Sequence, residues 1–166
     1  IKCIFQLQTK SKNTIIISTL KSIFQTVPSL DYFNSQTKSI KVGDLIKLND
    51  FSLDLIKMGF THTDYQVESP GEYTIRGGII DIFCINEKYP MRIELYGDNI
   101  DSIREFDQHT QISLNEIKKT DIKSFNYDEE SVVKNQGTIL DHISQDCLIL
   151  LDNPNSIFEN FNENIK

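Results

Sequence analysis

Hydrophobic and polar positions change rhythm twice along this chain. Near the start, TIIIST (14–19) is an unbroken β-branched run between two helical stretches, IKCIFQLQTK and LKSIFQTV, the second stopped by Pro28. Near the end the order returns. TILDHI reads as helix, CLILLD as a second unbroken apolar strand, and PNSIFENF as a helix with Asn153 and Pro154 in cap and first-turn positions. Continuously apolar strands suit a sheet covered on both faces. The two runs therefore predict halves of one split parallel α/β subdomain, residues 1–38 and 124–166.

Between them the period differs. DFSLDLIKMGF predicts a helix with Leu53 and Ile56 at helical spacing, closed by Gly59 as a left-handed cap. EYTIR, GIIDIFCI, MRIELYG and NIDSIREFD are strand-length runs separated by Gly77-Gly78, Asn86-Glu87-Lys88 and Gly97-Asp98-Asn99 turn chemistry. This predicts an inserted antiparallel α+β module over residues 39–123. The fold class is thus α/β plus α+β. The polar stretch SFNYDEESVVKNQG reads as a mobile connector, and no internal repeat or low-complexity tract occurs.

Composition adds bounds. At 166 residues, 39% hydrophobic and 25% charged, the chain fits one globular domain or two small ones. No apolar run approaches the roughly 20 residues that span a bilayer. Ile1 is not a natural start and no signal-peptide pattern follows it, so the chain reads as an internal, cytoplasmic piece of a longer protein. Cys3, Cys84 and Cys147 are odd in number, far apart and set among apolar residues, which predicts buried free thiols rather than disulfides or metal ligands. A net charge of −7, with acids and lysines interleaved, argues against tight DNA binding by this chain itself.

Signatures of catalysis are missing. There is no glycine-rich phosphate loop with its lysine and no Gly-x-Ser-x-Gly elbow. Asp152, closing CLILLD, resembles the strand-terminal acid that holds magnesium in nucleotide hydrolases, but without that loop it reads as the start of a turn. His62, His109 and His142 are each isolated and read as surface or capping residues. Asp98, Asp101, Glu105 and Asp107 lack the alternating-oxygen pattern of a calcium loop and read as a solvated, partly arginine-paired face.

The informative residues are the three arginines, Arg76, Arg92 and Arg104, grouped within one block while lysines are scattered throughout. Strand alternation sets Ile93 and Leu95 on one face of MRIELYG and Arg92, Glu94 and Tyr96 on the other; in EYTIR it sets Tyr73 and Ile75 inward, Thr74 and Arg76 outward. If that second face is open, it carries the residue types that concentrate interface energy, with Arg76 freed by the Gly77-Gly78 bend. The alternative is that the arginines pair with Glu72, Glu94 and Asp101 in exposed ion pairs contributing about 0–1 kcal/mol each.

At these residues the chain resembles a known family. GFTHTDYQVESPGEYTIRGGIIDIF followed by YPMRIELYGDNIDSIREFDQHTQIS is similar to the UvrB-homology module of bacterial transcription-repair coupling factors. UvrB resembles the same block, but DQHTQIS at 107–113 favours the coupling factors. IIISTLKSIFQTVPS, SIKVGDLIKLNDF and TILDHISQDCLILLDNPNSIFE resemble the flanks of that module. The resemblance implies a UvrB-like subdomain related to phosphate-loop folds but unable to hydrolyse ATP, with an insert that binds the damage sensor UvrA. It implies Arg76, Arg92 and Tyr96 as UvrA contacts, Tyr96 standing where Phe is usual, and Arg104 with Glu94 as rim or structural residues. It further implies no cofactor here, with ATP, magnesium, RNA polymerase and DNA engaged elsewhere in an ATP-dependent translocase. A UvrB fragment, or a catalytic piece of a nucleotide hydrolase, are the rival readings.

Overall fold

The computed structural model describes residues 15–85 and 87–156 together with Ile4, Leu7 and Glu159. Two compact units are present: one built from residues Asp31–Asp128, the other from the segments before and after it.

In the larger unit, a six-stranded sheet runs in the order β3-β4-β5-β6-β7-β8, where β3 is Thr61–His62, β4 Glu72–Arg76, β5 Ile79–Ile82, β6 Met91–Tyr96, β7 Asn99–Phe106 and β8 Ser113–Glu116. The four predicted strands are β4 to β7. The sheet is mixed rather than wholly antiparallel, because the short β3 pairs parallel to β4. Two-residue turns join β4 to β5 at Gly77-Gly78 and β6 to β7 at Gly97-Asp98. Gly77 and Gly97 have φ of 61° and 62°, values that side-chain-bearing residues adopt at a cost. Gly78 is needed for a different reason: a Cβ there would lie 3.0 Å from the Leu95 carbonyl oxygen.

One sheet face carries the core. Tyr73, Ile80, Ile82, Met91, Ile93, Ile100 and Ile103 pack with Phe51 and Leu55 of helix α3 (Leu48–Lys57), and with Ile40 and Ile122 of a separate antiparallel pair, β2 (Thr37–Lys41) and β9 (Lys119–Lys123). Tyr73 keeps its hydroxyl satisfied 2.8 Å from Ser52 Oγ. The helix ends as predicted, at Gly59 with φ 101°, but it buries Phe51 and Leu55, while Leu53 and Ile56 stay exposed. Both apolar pairs occur at helical spacing in the sequence, and only docking onto the sheet decides between them.

The predicted polar connector is partly built into this unit. Phe125 packs edge-to-face on Phe60, and Tyr127 stacks on Phe33 of α2 (Leu30–Ser35) while donating to the Ser124 carbonyl at 2.9 Å. Aromatic residues spaced by two anchor a stretch that its polar composition marked as mobile.

In the smaller unit the predicted strands do not form. Ile15–Ile17 and Leu148–Leu151 lie outside any strand and are exposed, with Ile17 at 94%. Unbroken apolar strands need neighbours on both edges and both faces, and among the described residues none pairs with them. What forms is α1 (Leu20–Ile23), a short antiparallel pair between β1 (Val27–Pro28) and β10 (Gln136–Gly137), α4 (Glu129–Lys134) and a 3-10 helix at Ile139–His142. The helix expected at TILDHI forms as this 3-10 turn, fixed by reciprocal bonds between Thr138 and Asp141. His142, expected as a surface or capping residue, is buried with Nε2 donating to the Pro28 carbonyl at 2.8 Å. Asn153 accepts from Ser156 N at 3.4 Å, the predicted cap of the helix that starts at Pro154. Asp152 is exposed in a bend, so it ends no strand. The first predicted helix, save Ile4 and Leu7, and Cys3 lie outside the described residues.

Candidate functional site

The second face of the sheet is where the arginines meet. Cross-strand register sets Thr74, Asp81, Arg92, Arg104 and Glu116 in one row over β4 to β8, and Arg76, Ile79, Glu94 and Ser102 in the next. Asp81 is completely buried (0% exposed) and receives three charge-assisted bonds. Arg76 Nη2 donates at 2.6 Å, Arg92 Nε at 2.7 Å and Arg92 Nη2 at 2.9 Å. A buried carboxylate without such partners is strongly unfavourable, so these guanidiniums are what allow an aspartate in the middle of an isoleucine strand.

Arg92 is held from further directions. Its guanidinium lies 4.4 Å from the Phe106 ring centroid, and Nη2 also donates to Gln111 Oε1 at 2.8 Å. Its hydrogen bonds to Asp81 raise the Arg92 pKa further above its ordinary value, against the opposing effect of burial. Gln111 reaches it from the loop between β7 and β8, which Asp107 organises by accepting from His109 N at 3.0 Å, Thr110 N at 2.8 Å and Thr110 Oγ1 at 3.0 Å. Those bonds, the Thr110 backbone N–H first, hold the Asp107 carboxyl below its usual range. Beside this, Arg104 pairs with Glu94, whose other oxygen accepts from Ser102 Oγ at 3.1 Å. Val67, Phe83 and Phe106 form a second small apolar cluster, and Thr74 is buried.

This face is therefore not open along its length. Arg92 is only 17% exposed and Arg76 46%, so Arg92 is not displayed on a free row and Arg76 is not freed by its glycines. The partner is Asp81, rather than the expected Glu72 or Asp101; only the Arg104–Glu94 pair uses one of the three predicted acids. Glu72 instead caps its own turn through Glu68 N and Ser69 N. None of Asp98, Asp101, Glu105 and Asp107 pairs with an arginine among the described residues: Asp107 shapes its loop, and Glu105 accepts from Asn115 at 2.8 Å. Tyr96 is 84% exposed, on the Arg92 side by strand alternation, at the sheet end bearing the two glycine turns.

The comparisons with known proteins fit this frame. The model of the UvrB interaction domain family matches residues 39–137. The chain belongs to the UvrB interaction domain family. It is 32% identical over 114 residues to a transcription-repair-coupling factor of Bacillus subtilis, covering 69% of this chain and 10% of that protein. It is 35% identical over 113 residues to one from Staphylococcus aureus (68% and 10%), and 31% identical over 122 residues to one from Haemophilus influenzae (74% and 10%). The chain thus spans about a tenth of the length of the curated relatives it matches.

Within this UvrB interaction domain the motifs of the sequence become one network. RGGIID supplies Arg76 and Asp81, RIE supplies Arg92 and Glu94, SIR supplies Ser102 and Arg104, and FDQHTQ supplies Phe106, Asp107, Thr110 and Gln111. Sequence reasoning missed Asp81, Phe106 and Gln111 as partners of Arg92. Asp81 had a signal: it is the one acid in GIIDIF, at the position that alternation places beside Arg92. Gln111 had none, because its approach depends on a left-handed backbone, φ 61°, in a loop. No group of His, Cys, Asp and Glu suited to a metal ion occurs among the described residues, and no described helix is long and apolar enough to cross a membrane.

Proposed function

We propose that this chain is the UvrA-recruiting region of a transcription-repair coupling factor acting in nucleotide excision repair. The observation that supports this best is the sheet end where Tyr96 is exposed and Arg76 half exposed, inside a domain of the matched family. Arg76 keeps donors beyond its one bond to Asp81, and Tyr96 supplies an apolar ring with a polar tip, the pairing of residue types that anchors interfaces. Arg92 joins this surface through its remaining exposed edge, while its larger part is to hold Asp81 in place. Residues 39–123 form the docking insert of a cytoplasmic protein. The flanks belong to a UvrB-like subdomain related to phosphate-loop folds. The chain is not itself an enzyme, and ATP, magnesium, RNA polymerase and DNA are engaged by other parts of the parent protein.

Titration of the chain with UvrA tests this. Tyr96→Ala and Arg76→Ala are each expected to weaken binding at least about tenfold, with Tyr96→Ala leaving the thermal melt unchanged because the ring touches little of the fold. Parent-like binding by both variants would refute the assignment. ATP turnover by the purified chain that disappears on changing Asp152 would refute the non-catalytic reading.

A further inference from the structure

We propose that Gln111 sets the charge selectivity of the arginine face, by satisfying Arg92 without neutralising it. This rests on reading that face as the UvrA docking surface. The Nε and Nη2 atoms of Arg92 form a side-on fork to Asp81, and the second Nη2 donor goes to the Gln111 amide oxygen at 2.8 Å. Among the described residues Nη1 has no acceptor.

The amide is placed with effort. Gln111 sits at φ 61°, a conformation that costs side-chain-bearing residues energy, and its Nε2 donates to the Gln108 carbonyl at 2.8 Å. The Asp107 turn holds the loop in that shape. Glutamate has the same reach and would bond Arg92 more strongly, because it would add the attraction of a full opposite charge to a bond that the guanidinium already makes charge-assisted. A neutral acceptor stands there instead.

The consequence is electrostatic. Arg76, Arg92 and Arg104 meet only two paired carboxylates, Asp81 and Glu94, so the network holds one unneutralised positive charge on a chain of net charge −7. The ligand chemistry this selects is a carboxylate on the partner surface, arriving at Arg92 Nη1 and the unused donors of Arg76. A glutamate at 111 would complete the neutralisation from inside and remove that preference.

The test uses the whole chain and UvrA at two salt concentrations, with a thermal melt of every variant. Gln111→Glu is expected to weaken binding at least about tenfold and to flatten its salt dependence, with no fall in melting temperature. Gln111→Met, which loses the hydrogen bond but keeps the net charge, is expected to stay within about threefold of the parent. Parent-like binding by Gln111→Glu while Arg76→Ala binds weakly would overturn the selectivity role and leave the docking surface standing. Equal weakening by Gln111→Met and Gln111→Glu would also overturn it, because the hydrogen bond and not the charge would then matter. If Gln111→Glu, Arg76→Ala and Tyr96→Ala all bind like the parent, the docking surface falls with it. A parent affinity indifferent to salt overturns the proposal whatever the variants do.

Discussion

GIIDIF and TIIIST are similar sequences with opposite fates. Ile80 and Ile82 of β5 are fully buried between β4 and β6 and under helix α3, whereas Ile15 to Ile17 carry no strand and stand in solvent. CLILLD repeats the second outcome, with Leu148 and Leu150 exposed. The difference does not lie in propensity, which favours a strand at all three places. It lies in neighbours. β5 has two register-matched strands joined to it by two short connections, so closing its contacts costs little loop entropy. The flanking runs have no adjacent strand in the described chain, and an apolar strand without a sheet gains nothing by becoming straight.

Five measurements would break or sharpen this contrast. The widest gap is expected in thiol reactivity. Burial, assisted by Glu87, pushes the Cys84 thiol up to about 12, whereas Cys147 in the flank is exposed. At neutral pH an alkylating reagent should modify Cys147 promptly and Cys84 only after unfolding, as read by peptide mass spectrometry; prompt labelling of Cys84 would show that the core face is not closed. The same thiol carries a pH signature. A folded pKa raised above the unfolded value stabilises fully below the ordinary thiol range and is lost as pH rises from about 9 toward 12. Alkaline loss of stability should therefore diminish in Cys84→Ala.

Next in size is the core itself. Ile93→Ala is expected to cost about 4 kcal/mol in denaturant unfolding, against a change within about 0.5 kcal/mol for Ile17→Ala. Comparable costs would mean that the flank is packed.

The polar face should come third. Arg92→Ala removes two of the three bonds to a buried carboxylate and is expected to cost about 3 kcal/mol. That figure replaces the near-zero cost that an open face would have implied. Arg92→Ala with Asp81→Ala should cost less than the two changes added separately, because the stranded charge goes too. Additive losses would show that the pair is not coupled.

The smallest effect is expected at Arg76. Its single bond to Asp81 and half-exposed side chain limit the stability loss of Arg76→Ala to about 1 kcal/mol. A loss as large as that of Arg92→Ala would make both arginines structural and remove Arg76 from the docking surface.

Much of the larger unit was legible in the sequence. Four strand runs, two glycine turns and the left-handed Gly59 follow from local chemistry, and strand alternation correctly placed Tyr73, Ile93 and Leu95 toward the core. Arg104 with Glu94 was also foreseeable, since alternation sets both residues on one face of adjacent strands. The choice of Phe51 and Leu55 over Leu53 and Ile56 was not legible, because both pairs satisfy the helical period and the sheet selects one.

The amino-acid sequence determined the four central strands of the larger unit, where the chain reverses at its glycine turns, and that its guanidinium groups fall within one block. Those are properties of near neighbours along the chain, governed by side-chain period and backbone permissiveness. Tertiary structure alone decided that Arg92 is a largely covered brace rather than a fully displayed side chain. That outcome required Asp81, Phe106 and Gln111, which lie 11, 14 and 19 residues from it, to converge on one guanidinium. Strand register and a left-handed loop residue bring them together, and no local pattern encodes a meeting set by distances across a sheet.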